Sequence, residues 1–210
     1  TLFRRQMERS LPNVKAMFFN GAQGDVNHVN VNAKGGDLNG MFHDFDDVAR
    51  GYPHAIHMAN VMVGAVLQVY EKVNYTDVES VRSKLQTISV PSNMPKPEDL
   101  PIAHKYNDMH KAGRDAEIPF KGMELTTVVA EAARMCKLEK GPYTFDLELT
   151  GVAVGPVALV SFPGEPFTEI GLKVKEGSKM AMTVCSCITN GGQGYFPTAS
   201  AFAEKGYERS

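Results

Sequence analysis

The sequence predicts an α/β fold, a mixed sheet with helices packed on its faces, and three stretches carry that prediction. The run VALVSF, residues 157–162, is apolar throughout, as a central strand should be. After it come a helical segment, PFTEIGLKVK, and a second apolar run, MAMTVCSCI. Strand, helix and strand in that order form a C-terminal β-α-β unit, with two parallel strands joined by a right-handed crossover. Just upstream, Tyr143, Phe145, Leu147 and Leu149 alternate with Thr144, Asp146, Glu148 and Thr150, the period of a half-exposed strand. Gly155 and Pro156 turn that strand back into residues 157–162.

The remaining elements follow from the N-terminus. TLFRRQMERSLPNV reads as the end of a helix. VKAMFF, residues 14–19, is a short apolar run between Pro12 and a glycine-rich loop, which suits a buried strand. Beyond the acidic stretch HDFDDVARG, Pro53 stands where a first helical turn tolerates proline. From there Ile56, Ala59, Val63, Val66, Tyr70 and Val73 recur at three and four residues, and Met58, Met62, Ala65 and Val69 widen the stripe. That pattern predicts a helix packed against a sheet. Residues 81–90 read as a strand, PSNMPKPEDLP is too proline-rich to continue it, and residues 102–138 carry helical patterns, clearest in TTVVAEAARMCKL.

Composition limits the function. A chain of 210 residues can bury a sizeable core as one domain, and the expectation is a single domain over 1–210. A formal net charge of -2 gives no electrostatic reason to expect nucleic acid or an anionic membrane as partner. No stretch reaches the roughly 20 apolar residues of a membrane helix, and no signal peptide opens the sequence. Cys136, Cys185 and Cys187 are an odd count, two of them in one apolar run, so they read as small core residues rather than a disulfide framework or a zinc knuckle.

Chemistry concentrates in loops that follow strands. Glu165 follows the C-terminal end of one strand of the β-α-β unit and Tyr195, in NGGQGYFPT, follows the other. Ligands of open α/β sheets bind outside those ends. FFNGAQGDVNHVN, residues 18–30, also follows an expected strand, so the three loops are expected to converge on one cleft. Each feature has a plainer reading as well. A carboxylate before a helix is favoured by the helix dipole alone, and Asp25 with the asparagines at 20, 27, 30 and 32 can serve loop hydrogen bonding. His54 and His57 share a helical face at metal-compatible spacing, but no third ligand stands near them in sequence. The glycine loops lack the lysine and hydroxyl of a P-loop.

Taken together, FFNGAQGDVN, VALVSFPGEPFTEIG and NGGQGYFPTASAFAEKGYE resemble the catalytic domain of the neutral ceramidase family, zinc amidases that cleave the N-acyl bond of sphingolipids, and most resemble its short bacterial members. The resemblance runs from the first expected strand to Tyr207 and is thin over residues 74–150. It implies a metal held by two histidines, a glutamate and a tyrosine, with Glu165 and Tyr195 matching the last two. It also implies that Tyr207 matches a second tyrosine, facing the metal and the scissile amide. A carboxylate and a phenolate beside imidazoles suit Zn²⁺, whose bound water can attack an amide carbonyl while a phenol steadies the oxyanion.

Two departures stand out. The family's serine-proline step is Asn27-His28 here, which excludes a serine nucleophile and leaves Asn27 as a donor to substrate and His28 as a proton carrier or a loop residue. The family's two zinc histidines lie upstream of the loop, whereas all six histidines here lie within or after it. The expectation is the C-terminal half of a catalytic domain, inactive and weak in zinc binding by itself, acting when intact on a small amphiphilic amide. The resemblance favours a secreted or periplasmic setting. The alternative is a noncatalytic module that recognises a headgroup or glycan on the same fold.

Overall fold

The computed structural model describes residues 1–26 and 52–201, apart from the side chains of Pro53 and His54. Helices and a mixed sheet make this an α/β fold. The chain forms two compact units, Thr1–Asn20 with Val26–Glu79, and Gly21–Asp25 with Ser80–Ser210.

In the first unit, α1 (Leu2–Ser10) starts where Thr1 Oγ1 accepts a hydrogen bond from the Arg4 amide, an N-cap that satisfies one orphan donor. It packs against α2 (Tyr52–Tyr70). Ala59 and Val63 of α2 are buried and Val66 and Tyr70 half-buried, while Val61, Leu67 and Val69 are exposed. The narrow seam of the expected stripe is thus the buried one as far as Tyr70, where the helix ends; Val73, the last residue of that stripe, lies beyond it and is exposed. Among the described residues of this unit its partner is helix α1, since an apolar stripe specifies that a face is covered and not by what.

Residues 14–19 form no strand, contrary to expectation, and Met17 is 77% exposed. A strand exists only through ladder bonds to a neighbour, and here the backbone bonds elsewhere. The Ala16 amide donates to Glu8 Oε1 (3.1 Å) and the Ala16 carbonyl accepts from Arg4 Nε (2.7 Å), both on α1, while Phe18 meets the Phe3 ring at 5.4 Å.

In the second unit, β1 (Val81–Pro91) pairs antiparallel along its whole length with β2 (Thr144–Val154). Leu147 is buried to 3% exposure, with Phe145 and Leu149 half-buried, as the alternation requires, whereas Tyr143 lies before the strand begins and is exposed, contrary to expectation. Between these strands the chain forms α3 (Leu100–Lys111), with Pro101 in its first turn, and α4 (Gly122–Leu138), which pack on each other. β2 returns at Gly155 and Pro156 into β3 (Val157–Ser161), and Ser161 Oγ accepts from the Thr150 amide at 2.7 Å.

β3 then pairs parallel with β5 (Met182–Ser186), giving the order β1-β2-β3-β5. The connection between them contains α5 (Thr168–Gly177), which packs against β5. This is the expected β-α-β unit, with β3 an interior strand. The helix begins at Thr168 rather than at Pro166, because Glu165 and Pro166 are used in a strand of their own, β4. Cys185 and Cys187 are buried, as small core residues are.

Candidate functional site

Beyond the ends of β3 and β5 the two chain segments continue side by side. Phe162 N donates to Ser186 O (2.8 Å), Thr189 N to Phe162 O (3.0 Å), Ile188 N to Gly164 O (3.0 Å) and Gln193 N to Pro163 O (2.8 Å). These bonds lead into a second, two-stranded parallel sheet of β4 (Glu165–Pro166) and β6 (Tyr195–Phe196). The Glu165 amide donates to Gly194 O (2.8 Å) and the Phe167 amide to Phe196 O (3.1 Å). The Phe162 and Phe196 rings pack edge to face, with centroids 4.9 Å apart.

Glu165 and Tyr195 are therefore direct register partners, and partners in a parallel pair project to the same face. Such close approach needs Gly164, because a Cβ there would lie 2.5 Å from the Phe196 ring and 2.6 Å from Gly194 O. In GAQGD, the Gly24 amide donates to Pro166 O at 3.0 Å, and a Cβ on Gly24 would collide with the Glu165 carbonyl.

Residues 21–25 thus reach the rim as expected, although no strand delivers them. Gln23 Nε2 donates to Glu165 Oε2 at 3.0 Å, fixing one oxygen of a half-buried carboxylate. Asp25 Oδ1 accepts from both the amide and the hydroxyl of Thr168, each at 2.7 Å. It caps α5 from a distant part of the chain, where a negative charge is also favoured by the helix dipole. The Cys187 thiol is pushed up by burial and then by the negative charge of Glu165, so it too lies within that carboxylate's field.

Gln23 and Cys187 are the neighbours that sequence reading missed. Gln23 had a signal, since it sits between the glycines of GAQGD, but nothing in its spacing identifies Glu165 as its partner. Asn27, His28 and Tyr207 lie outside the described residues, as does the side chain of His54; His57 lies in α2 of the other unit.

The donor set is one carboxylate and one phenol, oxygen ligands that Zn²⁺ accepts. Zinc sites ordinarily use at least three protein ligands, and among the described residues no group of three or more His, Cys, Asp and Glu side chains gathers to hold a metal. Glu165 and Tyr195 accordingly fit as part of a shell and not as a whole one. No helix among the described residues is long and apolar enough to cross a membrane. Neither the family models nor the curated proteins include a match to this chain.

Proposed function

We propose that the β4–β6 rim is part of the active site of a zinc-dependent amide hydrolase similar to the neutral ceramidases, acting on a small amphiphilic amide. The observation that carries this reading is the direct pairing of Glu165 with Tyr195, the two residues that the resemblance matches to the family's metal-binding glutamate and tyrosine. Glu165 and Tyr195 would hold the ion together with two histidines from outside this sequence. When bound, zinc would supply an acidified water and a Lewis acid for the amide carbonyl.

The chain's own residues do the rest. Gln23 holds one Glu165 oxygen through its Nε2–H, and the other has no hydrogen bond among the described residues, so the carboxylate is oriented before any ligand arrives. The Gly24 and Gly164 approaches lock β4 against its neighbours, which limits drift of that carboxylate. Asn27 would donate a hydrogen bond to substrate, His28 would carry a proton, and Tyr207 would donate to the carbonyl oxygen as charge develops there.

The test is metal content and amide cleavage by the longest natural form of the protein. Elemental analysis should find close to one zinc per chain, falling several-fold in Glu165→Ala, with hydrolysis of an N-acyl amide lost alongside. Asn27→Ala should retain zinc and lose only about 10² in rate, the scale of one polar contact to a developing charge. Zinc-free protein with no amidase activity would leave the noncatalytic binding module as the correct reading.

A further inference from the structure

Tyr195 also lines a cavity of about 400 Å³ whose walls include the end of α4, Phe145 of β2 and the segment after β1 at Ser92 and Asn93. Arg134 and Lys137 of α4 line it, one helical turn apart and so on one face of that helix, together with Leu138, Phe145 and Phe196. Two cations beside a largely apolar lining are an uncommon combination, because a half-buried guanidinium ordinarily finds a carboxylate. Arg134 has none. Its Nη1 donates to the Asn93 carbonyl at 2.8 Å, its Nε is buried with no hydrogen-bond partner, and among the described residues it forms no ion pair. Burial lowers its pKa, with Glu131 opposing from the preceding turn, so the cost of holding this charge is only partly offset within the protein. Lys137 likewise has no acidic partner among the described residues.

We propose that this cavity binds the carboxylate of a small amphiphile between Arg134 and Lys137. Resting on the amide hydrolase reading above, the ligand is the substrate and belongs to the N-acyl amino acids. Several features favour that class. With Nη1 committed to Asn93, the guanidinium keeps Nη2 and the lysine keeps its ammonium, one donor for each oxygen of a carboxylate. The Asn93 carbonyl and the charge of Glu131 disfavour a second negative charge at the same place, which argues against a phosphate dianion. Leu138, Phe145 and Phe196 offer apolar surface to a short stem. Tyr195 belongs both to this cavity and to the pair with Glu165, so a ligand anchored at Arg134 extends towards the atoms proposed to cleave an amide.

Calorimetric titration of the intact protein in chelator-treated buffer, where no hydrolysis occurs, tests the site by itself. The probes are N-hexanoylglycine, its neutral counterpart N-hexanoylethanolamine, and the phosphate ester of the latter. The acid should bind at least about tenfold more tightly than the alcohol, the scale of one or two hydrogen bonds to a charged group. That preference should disappear in Arg134→Met and fall in Lys137→Met, whose exposed side chain can be changed without disturbing the fold. Equal binding of acid and alcohol, or a preference unchanged in both variants, overturns the site. Tighter binding of the phosphate ester overturns its assignment to carboxylates. A separate assay with zinc present distinguishes the two readings: selective binding with neither amide cleaved sinks the hydrolase and leaves the carboxylate site standing. Cleavage of the alcohol-bearing amide in preference to the acid overturns the substrate class.

Discussion

The β1–β2 ladder and the β4–β6 pair hold their strands together by opposite means. The ladder joins eleven register pairs, from Val81 with Val154 to Pro91 with Thr144, and much of its surface faces solvent. Its specificity is spread along an alternating pattern, so no one contact decides it. The β4–β6 pair joins only two, and a two-residue strand has almost no pairing energy of its own. It is held by glycines at van der Waals contact, by loop amides that donate across segments far apart in sequence, and by the Phe162–Phe196 ring pair. A pair built this way is positioned by its surroundings, and it is the pair that carries Glu165 and Tyr195.

Glycine substitution should give the largest separation between the two regions. Gly151, within β2, has open space where a Cβ would stand, whereas Gly164 has the Phe196 ring and the Gly194 carbonyl there. Gly164→Ala should cost about 1–3 kcal/mol, the usual scale of overpacking. Gly151→Ala should be neutral or stabilising by up to about 1 kcal/mol, since alanine restricts the unfolded chain. Urea denaturation of both variants measures the difference, and similar midpoints would mean that the rim is no more tightly specified than the ladder.

Removing a long-range bond at the rim should have a smaller effect. Asp25→Ala deletes both bonds to Thr168 and should destabilise by about 1 kcal/mol, as the loss of a helix cap does. Asp25→Asn keeps an oxygen acceptor and should recover most of that loss. If neither substitution shifts the denaturation midpoint, residues 21–25 do not brace α5 in solution.

The smallest effect is a pH dependence. Burial raises the thiols of Cys185 and Cys187, and Glu165 raises Cys187 further, so the folded chain keeps these protons to higher pH than the unfolded chain does. Their contribution to stability is complete below the ordinary thiol value of about 8.5 and is lost as pH rises through the raised values. Cys187→Ala should therefore flatten the loss of stability between neutral and alkaline pH relative to the unmodified protein. Parallel slopes for the two would show that the Cys187 thiol does not titrate with folding.

Much of the fold was legible because it rests on local patterns. The alternation from Thr144 to Thr150, the apolar run 157–162 and the β-α-β order each reflect a period that one element imposes on its own side chains, and each element formed, with only Tyr143 left outside. The positions of Glu165 and Tyr195 after the ends of parallel strands followed from the same order. Residues 14–19 show where such reading stops. Apolar character names a face to be covered, but Glu8 and Arg4 took the Ala16 backbone groups that a strand would have given to a neighbour.

The sequence by itself determined the helices α1 to α5 and the strands β1, β2, β3 and β5, because each depends on residues within one or two turns of each other, and their order along the chain implied the parallel crossover. Only the tertiary structure decided that Glu165 is the register partner of Tyr195, that Gln23 holds its carboxylate, that Asp25 caps a helix 143 positions away, and that Arg134 shares a cavity with Tyr195. Those pairings join segments whose separation along the chain carries no period. They are fixed by which backbone amides find carbonyls, and by where a missing Cβ lets two segments touch.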